Sequence, residues 1–83
     1  MPPRELLERM RRGKSGWKLR DLHELYVGFG FETIEGGKHR LYVHPRYSDL
    51  RATVTRSSKL PVGYVATAVK LVDRLIARGG QER

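Results

Sequence analysis

The stretch Glu35-Gly36-Gly37-Lys38-His39-Arg40-Leu41-Tyr42-Val43-His44-Pro45 constrains this chain more than any other. Two consecutive glycines permit a reversal that side-chain-bearing residues resist. The residues from His39 to His44 then read as a strand, and Pro45 ends it because proline has no ladder donor. Ahead of the glycines, Phe31 to Ile34 alternates as a first strand. A connection this short makes the pair an antiparallel hairpin. A third segment, Arg51-Ala52-Thr53-Val54-Thr55, is rich in β-branched residues and supplies another strand. Three short strands need a cover over one face to be stable.

Helices provide that cover. Residues 4 to 12 form an amphipathic turn pattern with Leu6, Leu7 and Met10 on one side and Gly13 as the stop. Glu5 and Glu8 early, with Arg11 and Arg12 late, suit the helix dipole. Lys14-Ser15-Gly16 is a linker, and Trp17 is its hydrophobic anchor. Leu19 to Phe29 is a second helix, carrying Leu22, Leu25, Tyr26 and Phe29 at three- and four-residue intervals, with Gly30 as a left-handed cap. Gly28 weakens it by about 1 kcal/mol relative to alanine, which fits either close packing or fraying. Arg56-Ser57-Ser58-Lys59-Leu60 is a polar loop. Pro61 opens a last helix running to about Arg78, with an apolar stripe of Val62, Val65, Ala66, Val69, Val72 and Ile76, widened by Leu71 and Leu75. Gly79-Gly80 ends it, and the last three residues are expected to fray.

The predicted fold is therefore α+β, in the order α-αβββα: a three-stranded antiparallel sheet with helices on one face. That order is double-stranded-RNA-binding-domain-like. The 83 residues make a single domain, with 1–16 as an N-terminal helical extension and 17–78 as the core. The absence of cysteine removes disulfides, thiolate catalysis and cysteine-based zinc sites. The N-terminus lacks an apolar signal core, and no run approaches the roughly 18 apolar residues of a membrane span. The expectation is a cytoplasmic protein with no membrane partner. Seventeen basic against nine acidic residues give a net charge of +8, which points to a polyanionic partner, nucleic acid first.

Period-two alternation puts His39, Leu41 and Val43 on one side of the second strand and Arg40, Tyr42 and His44 on the other. With Leu41 and Val43 taken as core-facing, His39 falls at the sheltered end of the core row. Histidine exchanges a proton near neutral pH. Lys38 and Arg40 flank it as phosphate contacts, Gly36 and Gly37 let a nucleic-acid backbone approach, and Arg56 and Lys59 are secondary phosphate contacts. A base beside phosphate binders is what metal-free RNA cleavage requires. On spacing alone, a strand-end histidine satisfied by a backbone carbonyl is the simpler account. His44 is a poor second acid, being on the other face and roughly 16 Å along the strand. His23 reads as a surface residue. Neither a metal nor a small-molecule cofactor is expected.

Gly30-Phe31, Gly37 to Pro45, Thr53-Val54-Thr55 and Lys59-Leu60-Pro61 together resemble the HicA toxin family over about residues 19 to 77. These are small mRNA interferases of HicAB toxin–antitoxin systems. The resemblance implies a metal-independent endoribonuclease acting on mRNA, with His39 as the catalytic acid/base. It also implies a HicB-type antitoxin as partner. Lys38 stands where the family has serine, and Arg40 where many members have a second histidine. Two other functions fit the composition: a non-catalytic RNA-binding module of the same topology, and a basic protein-interaction domain.

Overall fold

A computed structural model describes residues 1–56 and 59–83; Ser57 and Ser58, in the expected polar loop, lie outside the described residues. The element order is α1 (Pro3–Arg12), α2 (Leu19–Gly28), β1 (Glu32–Gly36), β2 (His39–Val43), β3 (Arg51–Thr55) and α3 (Val62–Ala77). The sheet order is β1-β2-β3, with both pairs antiparallel. The Cα radius of gyration of 11.7 Å matches the roughly 11.8 Å expected of a compact chain this long. Among the described residues no helix is long and apolar enough to cross a membrane.

The α-αβββα order and the one-sided cover are as the sequence predicts. Gly37 and Lys38 are the two central residues of the β1–β2 hairpin. Gly37 has φ +60, and among the described residues only glycines have a positive φ. Positive φ at the first central residue alone is the demand of a type II′ turn, whose twist matches the strands it joins.

The helices bury Leu6, Leu7 and Met10 from α1, Leu22, Leu25 and Tyr26 from α2, and Val65, Ala68, Val69, Leu71, Val72 and Leu75 from α3. Val62, expected in the apolar stripe, is half exposed, because the buried arc begins one turn later. Helix α1 packs on the core, where Arg11 forks onto Asp73 of α3 at 2.6 and 2.8 Å. Gly13 ends α1, as expected, in an extended conformation. Trp17 anchors the linker as expected, its indole N–H donating to the Gly13 carbonyl at 2.7 Å while its ring packs against the core.

Gly28 is there for close packing, not as a frayed end. A Cβ at this position would lie 2.5 Å from Cγ of Pro3. The C-terminal residues, expected to fray, are instead tied down. After the glycine turn that caps α3, the Arg83 N–H donates to the Gly28 carbonyl at 2.8 Å, and the Glu82 carboxylate accepts the Arg4 N–H at 3.0 Å. A main-chain donor in the first turn of α1, the Arg4 N–H, and a main-chain acceptor at the end of α2, the Gly28 carbonyl, give the tail its partners.

The sidedness of β2 is the principal correction. Tyr42, not Leu41 or Val43, is the fully buried residue of the strand. Its ring stacks on Tyr26 with centroids 4.4 Å apart, and Tyr26 meets Phe31 edge-on at 5.0 Å. An aromatic ring buries more surface than an aliphatic side chain and leaves a polar tip to reach the margin. Tyr42 therefore decides which row faces the helices, and Val54 of β3 joins it there. His39, Leu41 and Val43 lie on the open face. His39 is exposed, not sheltered.

Candidate functional site

The hairpin register organises the site. Gly36 pairs with His39 and Glu35 with Arg40 across β1 and β2, while His39 pairs with Thr55 and Arg40 with Val54 across β2 and β3. Paired residues share a face, so the turn divides its chemistry in two.

On the open face stands His39, exposed and making no side-chain hydrogen bond among the described residues. Its neighbour across β1 is Gly36, which has no side chain to screen the ring. Lys38 is exposed at the turn beside it. The Lys38 carbonyl accepts the Arg56 N–H at 2.8 Å, which fixes the end of β3 against the turn. Tyr64 of α3 holds the outer edge of β3, accepting the Thr55 N–H at 3.3 Å and donating to its hydroxyl at 3.2 Å. Further along the open face, Ile34, Leu41 and Thr53 form a row across the three strands, and Ile34 is 56% exposed.

On the helix side the turn carries a connected polar cluster. Arg40 donates through Nε to Oε1 of Glu35 at 2.5 Å and through Nη1 to the Tyr42 hydroxyl at 3.3 Å. The same Nη1 lies 3.2 Å from Nδ1 of His23, which is 2.9 Å from the Tyr42 hydroxyl. Arginine has no acceptor, so this geometry makes Nδ1 of His23 an acceptor and puts the ring proton on Nε2. Arg56 pairs with Oε2 of Glu35 at 3.1 Å and donates to the Gly37 carbonyl. Burial, then the positive charge of Arg40, pushes His23 below its ordinary pKa and favours the neutral ring.

The six candidates besides His39 thus separate. Lys38, Gly36 and Gly37 belong to the same turn as His39. Arg40 and Arg56 reach the opposite side, where they share Glu35. Lys59 is exposed between β3 and α3. The expected flanking of His39 by both Lys38 and Arg40 is not formed, because adjacent strand residues point to opposite faces.

His44 fixes the His-Pro corner, accepting the Arg46 N–H at 3.1 Å and meeting Phe31 edge-on at 5.2 Å. His23 was legible only faintly. It lies four residues after Leu19 and three before Tyr26, on the margin of the apolar stripe. Among the described residues no three His, Cys, Asp or Glu side chains gather to hold a metal ion. Compared with protein-family models, curated proteins and solved structures, the chain matches none.

Proposed function

We propose that this chain is a metal-independent endoribonuclease of the HicA type, acting on mRNA with His39 as its acid/base. One observation carries the reading: an exposed imidazole, unpartnered among the described residues, stands beside a glycine turn and a lysine, in a domain of net charge +8. His39 takes the proton of a ribose 2′-OH, and the freed oxygen attacks the adjacent phosphorus. The 5′ oxygen leaves with a proton from water, giving a cyclic phosphate and a 5′-hydroxyl. Lys38 offsets the charge gathering on the phosphate oxygens. Gly36 and Gly37 leave the RNA backbone room to reach the imidazole. Positive surface around the turn supplies attraction without sequence preference.

The HicA resemblance also calls for an antitoxin of the HicB type covering the active face. The exposed Ile34, with Leu41 and Val43 on the same face as His39, offers that partner an apolar footing beside the imidazole.

The test is cleavage of a defined mRNA in the presence of EDTA by wild type and His39→Ala. Fragments ending in cyclic phosphate from the wild type, with a loss of at least about a hundredfold in the variant, are expected of a general acid/base. Equal cleavage by the two proteins would remove His39 from the site. Binding without cleavage by either would replace the nuclease with a non-catalytic RNA-binding module.

A further inference from the structure

We propose that Arg40 and Arg56 form a binding site for the backbone phosphates of single-stranded RNA, held shut in the free protein by the carboxylate of Glu35. The inference rests on the RNA-binding part of the function proposed above and adds a site and its gate. Glu35 spends one oxygen on each arginine, Oε1 on Arg40 and Oε2 on Arg56. A carboxylate so forked between two guanidinium groups occupies the place a phosphate would take, since guanidinium recognises both anions by the same paired donors.

Both arginines are held by contacts other than Glu35. Tyr42 and His23 fix Arg40 from the core side, leaving its side chain 21% exposed. The Gly37 carbonyl holds Arg56. Removing the carboxylate leaves two oriented cations converging on one space. Glu35 has no comparable support: its side chain is 48% exposed, and among the described residues its side-chain hydrogen bonds and ion pairs go only to these two arginines. It leaves by rotating its own side chain into water. Exposed pairs of this kind contribute little stability, so displacement is cheap, and an RNA phosphate arrives with its neighbours already attracted to the basic surface. An RNA strand passing over the Gly37-Lys38 tip would meet Lys38 and His39 on one side and the arginine pair on the other.

The probe is 2′-O-methyl oligouridine, which cannot be cut because its 2′ oxygen is blocked. Its affinity is measured by fluorescence anisotropy for wild type, Glu35→Gln and Glu32→Gln. Glu32 is exposed on the same strand and removes the same charge from the open face. Glu35→Gln is expected to bind roughly tenfold tighter, the two arginine–carboxylate pairs no longer having to be broken, with less than about a twofold change for Glu32→Gln. Adding Arg56→Gln to Glu35→Gln should abolish the gain. In the unmutated protein, the side-chain Nε resonances of Arg40 and Arg56 should shift on titration with the same oligonucleotide. Equal tightening by the two glutamine variants, or arginine resonances that stay put while RNA binds, would overturn the gate. Inorganic phosphate shifting those resonances where the oligonucleotide does not would overturn RNA as the occupant. Failure of the oligonucleotide to bind any of the proteins would instead overturn the RNA-binding reading beneath it.

Discussion

Tyr26 and Tyr42 stack face to face, with ring planes 19° apart, yet their hydroxyls meet opposite fates. The Tyr26 hydroxyl is buried with no hydrogen-bond partner among the described residues, and burial raises its pKa well above the ordinary tyrosine value. The Tyr42 hydroxyl contacts His23 at 2.9 Å and accepts from Arg40 at 3.3 Å. The same change, tyrosine to phenylalanine, should therefore carry opposite signs at the two positions. An unsatisfied buried hydroxyl costs about 1–3 kcal/mol, so Tyr26→Phe should recover about 1 kcal/mol or more. The void left by one oxygen, on the order of 10 Å³, returns roughly 0.2 kcal/mol at about 24 cal/mol per Å³. Tyr42→Phe should lose about 1–2 kcal/mol, because Arg40 and His23 give up a shared partner. In a chain this short each kcal/mol moves Tm by about 4–8 °C. Thermal and urea unfolding followed by circular dichroism resolve such shifts, and an unchanged m-value would assign them to stability alone. A fall in Tm for Tyr26→Phe, or a rise for Tyr42→Phe, would refute the contrast.

Two further outcomes follow from contacts elsewhere. His23 has a folded-state pKa below its ordinary 6.5, from burial first and Arg40 second, so the unfolded chain binds the proton more readily. Its stability contribution is complete above 6.5 and is lost as pH falls from there through the folded-state value; unfolding midpoints measured across that range should fall with pH, and His23→Gln should flatten the slope. Gly28→Ala places a methyl group 2.5 Å from Pro3 Cγ, and overpacking of about 1–3 kcal/mol should outweigh the roughly 1 kcal/mol of helix propensity gained. In a Pro3→Ala background the same substitution should turn stabilising, which a double-mutant cycle in urea would detect.

Turn chemistry and period made the elements legible. The Gly-Gly pair signalled a hairpin, although its two central residues are Gly37 and Lys38 and Gly36 lies in β1 opposite His39; the β-branched run set β3, and three- and four-residue spacing set the helices. The sidedness of β2 was not legible, because both of its rows carry large apolar side chains. Leu41 and Val43 compete there with Tyr42, and alternation alone does not rank them. The outcome depends on Tyr26 waiting across the core to stack on Tyr42, a tertiary fact. The Glu35–Arg40 pairing depends on where the two-residue loop falls: at Gly37-Lys38 it puts residue 35 opposite residue 40, whereas a reversal at Gly36-Gly37 would put residue 35 opposite residue 38. His23 sat at the margin of a stripe, where a polar residue signals nothing until its neighbours are known. The tail that returns to Gly28 and Arg4 leaves no trace in side-chain pattern, since it is held by a main-chain N–H and by one carboxylate that looks like any charged terminal residue.

The fork between Arg11 and Asp73 spans 62 positions of sequence. Helix α1 comes early in the chain, and much of its docking surface is α3, near the other end. During synthesis α1 can meet α2 early, but the part of its face that packs on α3 must wait until α3 has left the ribosome. At about 5–20 residues per second that interval lasts several seconds. Through it, the charged residues flanking Leu6, Leu7 and Met10 on the short helix, Glu5, Glu8, Arg9, Arg11 and Arg12, are what keep a nascent apolar face from finding the wrong partner.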